Sequence, residues 1–364
     1  MLYFAPKTET VLLQNAKVNG RLENIYIENG KIAQRNAEKE LAADQVIDLE
    51  GKRLRPGLID VHCHGCMNME TTDGEEAQVA MSHYWAKEGI TSWYPTGTTL
   101  AISTLKECMK RIPETPYGAN ILGYHSEGPY INDSRRGAQN PAFIKAADPC
   151  DFAELDTIKL ITLAPETPGA MEYIKKSPIL CVLGHTDADY ETALAAFQNG
   201  AKCVTHLFNA MPPLHHREPS VLGAAFDGNA FVQVISDGIH LHPSVVRMTY
   251  RLFGPERMIL ISDAVRPALV PDGKYESGGL TVWVKNGTAR LEDGTIAGST
   301  TSLFQCVKRA IAFGVPTEDA FRMASETPAR MMGLKKGLLH VGYDAEFIAL
   351  DDNDNLCDTQ ILNK

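Results

Sequence analysis

The stretch Pro56-Gly-Leu-Ile-Asp60-Val-His62-Cys-His64-Gly65 decides how the rest of the chain is read. Pro56-Gly57 is a turn signal, and the apolar run from Leu58 to Val61 predicts a short buried strand after it. Side chains alternate along a strand, so His62 and His64 at its C-terminal end point the same way. Two imidazoles in that arrangement suit one divalent metal. A pair of hydrogen-bonded strand-end histidines would leave the same trace, so the neighbouring sequence has to decide.

Outward from this stretch, apolar strand-like runs alternate with helical patterns, the signature of a parallel sheet with crossover helices. Strands are predicted at Leu58–Val61, Ile90–Tyr94, Ile121–Tyr124, Ile158–Leu163, Ile179–Leu183, Lys202–Thr205, Phe231–Ile235 and Met258–Ile261. Helices are predicted between them, for example Tyr190–Asn199 stopped by Gly200 and Ser244–Phe253 stopped by Gly254-Pro255. Just past the strands stand His62 and His64, Pro95-Thr96, His125 and Glu127, Glu166, His185, His206, Asp237 with His240, and Asp263. In a (β/α)8 barrel the site is assembled at the C-terminal ends of the strands. One such residue would be an ordinary cap or turn; ligand-type residues at nearly every strand end are hard to explain as structure alone.

The ends of the chain read differently. Thr10–Leu13, Ile25–Ile27, Lys31–Ala33 and Val46–Leu49 are short strands broken at Asn19-Gly20 and Asn29-Gly30, too few for a core of their own. Ala345–Leu350 is a further apolar strand after Gly342. The expected fold class is therefore α/β. A TIM-like (β/α)8 barrel over residues 56–339 stands beside a small β-sandwich domain built from residues 1–55 and 340–364.

A chain of 364 residues is too long for one small core. Its 44% hydrophobic and 22% charged residues are ordinary for a soluble protein. No apolar run approaches a membrane span, and the N-terminus lacks a basic segment followed by an apolar one, so a cytoplasmic protein without a membrane partner is expected. The net charge of −10 argues against a nucleic-acid surface but permits a phosphorylated small molecule, which needs only a local cation or two. Eight cysteines are dispersed, with one C-x-x-C spacing at Cys63 and Cys66. Without a second pair a structural zinc site is not expected, a redox pair is the weaker reading beside the histidines, and a reducing compartment fits.

The first motif resembles that of the amidohydrolase superfamily. More narrowly, His125-Ser-Glu127-Gly-Pro129, Gly184-His185-Thr186, Thr205-His206-Leu-Phe-Asn209-Ala210-Met211, Arg217-Glu-Pro219, Asp237-Gly-Ile-His240, Ser262-Asp263-Ala264 and Gly294-Thr-Ile296-Ala297-Gly298-Ser299 resemble the N-acetylglucosamine-6-phosphate deacetylase family. They fall in order across residues 56 to 300, and the flanking β segments fit the same family.

The resemblance implies a divalent metal, zinc or iron, held by Glu127, His185 and His206. His62 and His64 would supply a second ion, with Glu127 able to bridge, so one or two ions per chain are expected. Asp263 matches the family's general base and acid, which would take a proton from metal-bound water as hydroxide attacks the acetamide carbonyl and then pass it to the departing amine. Asn209 and Ala210 match backbone contacts to the sugar phosphate, Arg217 and His240 contacts to its phosphate and hydroxyls, and Ile296, Ala297 and Gly298 a loop against the substrate. In the family this arginine reaches across a homodimer interface.

Two departures are visible. Ala138-Gln139 stands where one branch of the family has a histidine near the acetyl carbonyl; Gln139 can donate a hydrogen bond but carries no proton, so it would position. Arg266, close after Asp263, is expected to depress the pKa of that carboxylate or to contact substrate. The implied activity is hydrolysis of N-acetylglucosamine 6-phosphate to glucosamine 6-phosphate and acetate. The alternatives are the galactosamine epimer or another cyclic amide, and a catalytically silent sugar-phosphate-binding barrel, against which the intact Glu127, His185, His206 and Asp263 argue. The absence of an evident lysine to be carboxylated as a bridge separates the chain from broader amidohydrolases, Glu127 taking that place.

Overall fold

A computed structural model describes residues 9–360. Parallel strands Leu58–Cys63, Ile90–Gly97, Tyr124–Glu127, Ile158–Leu163, Leu180–Leu183, Cys203–Val204, Phe231–Val234 and Met258–Leu260 follow one another around a barrel. They are apolar on both faces because side chains fill the barrel on one side and helices cover the other. Ile59, Val61, Leu160, Val182, Ile235 and Ile259 form the inner cluster. The first and last strands close the ring above their ends, where Asp263 N donates to His62 O at 3.0 Å and His64 N to Ala264 O at 2.7 Å.

Most predicted strands lie within a residue or two of those observed, with one instructive difference. The third strand is broken, Asn120–Ile121 pairing with the second strand and Tyr124–Glu127 with the second and fourth. Gly123 at φ 142° makes the break, and a Cβ there would lie 2.9 Å from Thr157 O. His125 and Glu127 are therefore in the strand, not beyond it. Helix Tyr190–Gln198 starts where Asp189 accepts the Thr192 N–H. Helix Pro243–Arg257 is interrupted at the predicted stop: Gly254, at φ 67° and ψ 171°, is non-helical and separates the long helix before it from a short turn after it.

The flanking segments form a separate seven-stranded mixed sheet. Thr10–Val18 pairs with Arg21–Glu28, Gln45–Asp48 and Arg53–Pro56; Arg21–Glu28 pairs with Lys31–Arg35; and Phe347–Leu350 joins Arg53–Pro56 to Leu356–Gln360. Val11, Leu13, Ile25, Ile27, Ile32, Leu54, Leu339, Phe347 and Ala349 pack on it. Arg53–Pro56 leads through Gly57 directly into the first barrel strand.

After the eighth strand the chain makes an antiparallel sheet, Gly273–Ser277, Leu280–Lys285 and Thr288–Arg290. Val282, Val284 and Ala289 pack there against Val265 and Ala297, which sets this sheet over the C-terminal mouth of the barrel.

Candidate active site

Four imidazoles converge on one carboxylate at that mouth. Glu127 Oε1 lies 3.3 Å from His62 Nε2, 3.2 Å from His185 Nε2 and 3.0 Å from His206 Nε2. Its Oε2 lies 3.2 Å from His64 Nε2 and 2.6 Å from Gln139 Nε2. Asp263 Oδ1 lies 3.4 Å from His62 Nε2 and 3.2 Å from His64 Nε2. All seven residues are buried.

The strand ends deliver these groups through unusual backbone. His185, His206 and Asp263 have φ of 48°, 26° and 47°, a left-handed conformation that disfavours residues bearing a Cβ. Cross-links hold them in it: Ser299 N donates to Asp263 O at 2.8 Å, Asn132 N to His185 O at 2.9 Å, and Asn209 N to His206 O at 3.0 Å. Glu166, one of the strand-end residues, accepts from Asn132 Nδ2, Thr186 Oγ1 and Asp187 N, and so braces the His185 turn without reaching the centre. His125 is an internal strut, neutral because burial pushes its pKa well down, with Nε2 2.8 Å from Thr162 Oγ1.

The donor set fits divalent metal. Two groups have ligand atoms within 4.8 Å of one another: His62, His64 and Glu127, and Glu127, His185 and His206. His185 Nε2 and His206 Nε2 lie 3.1 Å apart, and His62 Nε2 and His64 Nε2 3.2 Å apart. Two lone pairs so close need a positive charge between or beside them. The electrostatics of the protein alone show the same demand. Burial opposes charging of His64, yet its contacts with Asp263 and Glu127 outweigh burial and raise its pKa to about 10. Burial likewise opposes ionisation of Asp263, but the attraction of His62 and His64 lowers it to about 2. Imidazole and carboxylate ligands of this kind suit zinc or iron and leave positions open.

Above the centre lies a cavity of about 270 Å³ lined by His64, Glu127, Ala138, Gln139, His185, His206, Asn209, Ala210, His240, Asp263, Ile296, Ala297 and Gly298. His62 lies beneath, wholly buried. Arg217 is the one expected site residue left outside: it is exposed, with Nη1 2.7 Å from His216 Nε2. Thr98, Gly137, Val265, Ser277, Val282 and Thr295 complete the lining, and of these the hairpin residues Ser277 and Val282 went unnoticed because only folding brings them over the barrel. Arg266 departs from expectation. Its guanidinium grips Asp73 at 2.6 and 2.7 Å and Glu70 at 3.1 Å, because two carboxylates on the loop after the first strand face it. It thus fastens that loop and does not contact Asp263. Cys63 and Cys66 are unbonded thiols, buried and with pKa raised by burial, which removes the redox reading.

The profile of the amidohydrolase family matches residues 53–364. The chain belongs to this family. Among curated relatives, this amidohydrolase is 34% identical over 355 residues to the N-acetylglucosamine-6-phosphate deacetylase of Vibrio furnissii, covering 93% of this chain and 88% of the relative. It is 35% identical over 326 residues to the N-acetylgalactosamine-6-phosphate deacetylase of Escherichia coli O157:H7, covering 84% and 85%. The solved N-acetylglucosamine-6-phosphate deacetylase of Pasteurella multocida superposes with a TM-score of 0.89 at 29% identity, covering 96% of this amidohydrolase and 98% of that chain. A mutant of the Mycobacterium smegmatis deacetylase in complex with N-acetyl-D-glucosamine-6-phosphate gives a TM-score of 0.86 at 28% identity, covering 98% of both.

Proposed function

We propose that this amidohydrolase removes the acetyl group of N-acetylglucosamine 6-phosphate to give glucosamine 6-phosphate and acetate. The observation that carries the reading is the ionised Asp263 carboxylate held against the imidazole–Glu127 cluster on the floor of a sugar-sized cavity. Glu127, His185 and His206 would hold one zinc or iron ion, and His62 and His64 with Glu127 a second. When bound, such an ion polarises water and the acyl oxygen.

The chain's own residues supply the rest. Asp263 takes a proton from the attacking water at its carboxylate, and passes it to the amide nitrogen as the C–N bond breaks. As a carboxylate it is in the form that can accept. Gln139 holds Glu127 by a hydrogen bond and closes one wall. Its own amide is oriented by Thr99 N, which donates to Oε1 at 2.7 Å. Asn209, Ala210, Ile296, Ala297 and Gly298 shape the sugar's bed, with His240 as a cation for its phosphate or hydroxyls. Arg217, exposed beside His216, fits the reading as a residue donated across a homodimer. A charged sugar phosphate as substrate accords with a cytoplasmic enzyme.

The relative acting on the galactosamine epimer at 35% identity favours one second reading, the same chemistry on N-acetylgalactosamine 6-phosphate. Acetate release from both epimers by metal-assayed protein tests the two together. Turnover of the glucosamine compound, reduced by about 100- to 10,000-fold in Asp263→Asn with the fold retained by circular dichroism, is expected. Release from the galactosamine compound alone would replace the substrate, and release from neither would sink the assignment.

A further inference from the structure

The two candidate metal groups are anchored in the same way, each through one imidazole. In the Glu127–His185–His206 group, His185 Nδ1 lies 3.0 Å from the Arg135 carbonyl oxygen, whereas His206 Nδ1 is buried without a partner. In the His62–His64–Glu127 group, His62 Nδ1 lies 3.0 Å from Gln233 Oε1, whereas His64 Nδ1 is buried without a partner. An oxygen at Nδ1 accepts its proton, which leaves the lone pair on Nε2 and fixes the plane of the ring.

Gln233 belongs to the strand Phe231–Val234 and is fully buried. A buried amide that leaves its own Nε2 unpartnered carries a desolvation cost of about 1–3 kcal/mol. An apolar residue would spare that cost in an otherwise apolar strand.

We infer that Gln233 is a positioning residue for the second metal ion: its carbonyl oxygen presents His62 Nε2 to the space shared with His64 and Glu127, as the Arg135 carbonyl presents His185. The inference rests on reading the cluster as a metal centre. It goes further in naming the side chain outside the ligand set that decides the filling of the H-x-H site. Arg135 acts through backbone and cannot be removed by substitution. Gln233 can, so the two groups are separable.

The test is metal content and affinity of the full-length protein titrated with Zn²⁺ alone. The wild type binds two ions per chain. Gln233→Leu binds one with wild-type affinity and the other about 10- to 100-fold more weakly, and Gln233→Glu, which keeps an accepting oxygen, restores two. One ion per chain in fully loaded wild type overturns the inference without any variant. Two ions of unchanged affinity in Gln233→Leu overturn it while leaving the metal centre standing. Wild type that binds no zinc removes the metal reading itself, and the inference with it.

Discussion

His240 sits in the cavity wall with Nδ1 2.7 Å from Asp237 Oδ2. Burial opposes its charged form, but the hydrogen bond to Asp237 and the charge of that carboxylate outweigh burial and raise the pKa above the ordinary histidine value. The stability this pair contributes is fully present below the unfolded histidine value and is lost as pH rises through the raised one. The imidazolium is lost over the same window. KM for the sugar phosphate is therefore expected to climb by about 10- to 100-fold across that alkaline limb, the value of one charge-assisted contact. In His240→Gln, KM should be high and flat with pH; a wild-type limb that survives the substitution would assign it elsewhere. His240 was readable in the sequence because it follows a strand inside a family motif. Gln233 carried a weaker signal, one amide in an apolar strand, and its meaning depends on where the His62 ring lies. Arg266 was misread for the complementary reason: closeness in sequence to Asp263 says nothing of Asp73, which lies 193 residues away.

At the level of elements, the loop from Gly294 to Ser299 holds the end of the eighth strand. Gly298 adopts φ +69°, and a Cβ there would stand 2.4 Å from Val265 Cγ1 and 2.9 Å from Asp263 O. Gly298→Ala must therefore push Asp263 and its loop apart. A displacement of this kind is expected to lower kcat by about 100-fold while leaving bound metal unchanged, as metal analysis and kinetics on one sample would show. Barrel strands were legible because each is a bounded apolar run buried on both faces. The hairpin sheet over the mouth was not assigned, although Gly278-Gly279, Asn286-Gly287 and the alternation Leu280-Thr-Val-Trp-Val-Lys285 all mark it. The broken third strand was beyond pattern reading, since Gly123 looks like any strand-end glycine until its neighbours are known.

Across the whole molecule, the sheet and the barrel are joined by a buried charge. Lys336 Nζ lies 2.6 Å from Glu346 Oε1 and 3.0 Å from Asp344 Oδ2, and Glu346 also accepts from Asn120 Nδ2 and Ser92 Oγ of the barrel. Lys336→Met leaves Glu346 buried with neutral donors only. A loss of about 3–5 kcal/mol is expected, read as a lower urea midpoint; an unchanged midpoint would mean the junction carries no such strain. The strand Phe347–Leu350 has a further consequence, in time. Val11, Leu13, Ile25 and Ile27 are made first, yet Leu339, Phe347 and Ala349, which complete the same apolar cluster, are made more than 300 residues later. At ordinary rates of synthesis that interval is on the order of tens of seconds. A newborn chain thus carries an uncovered apolar sheet face while its barrel is still emerging from the ribosome, and chaperones would find it there.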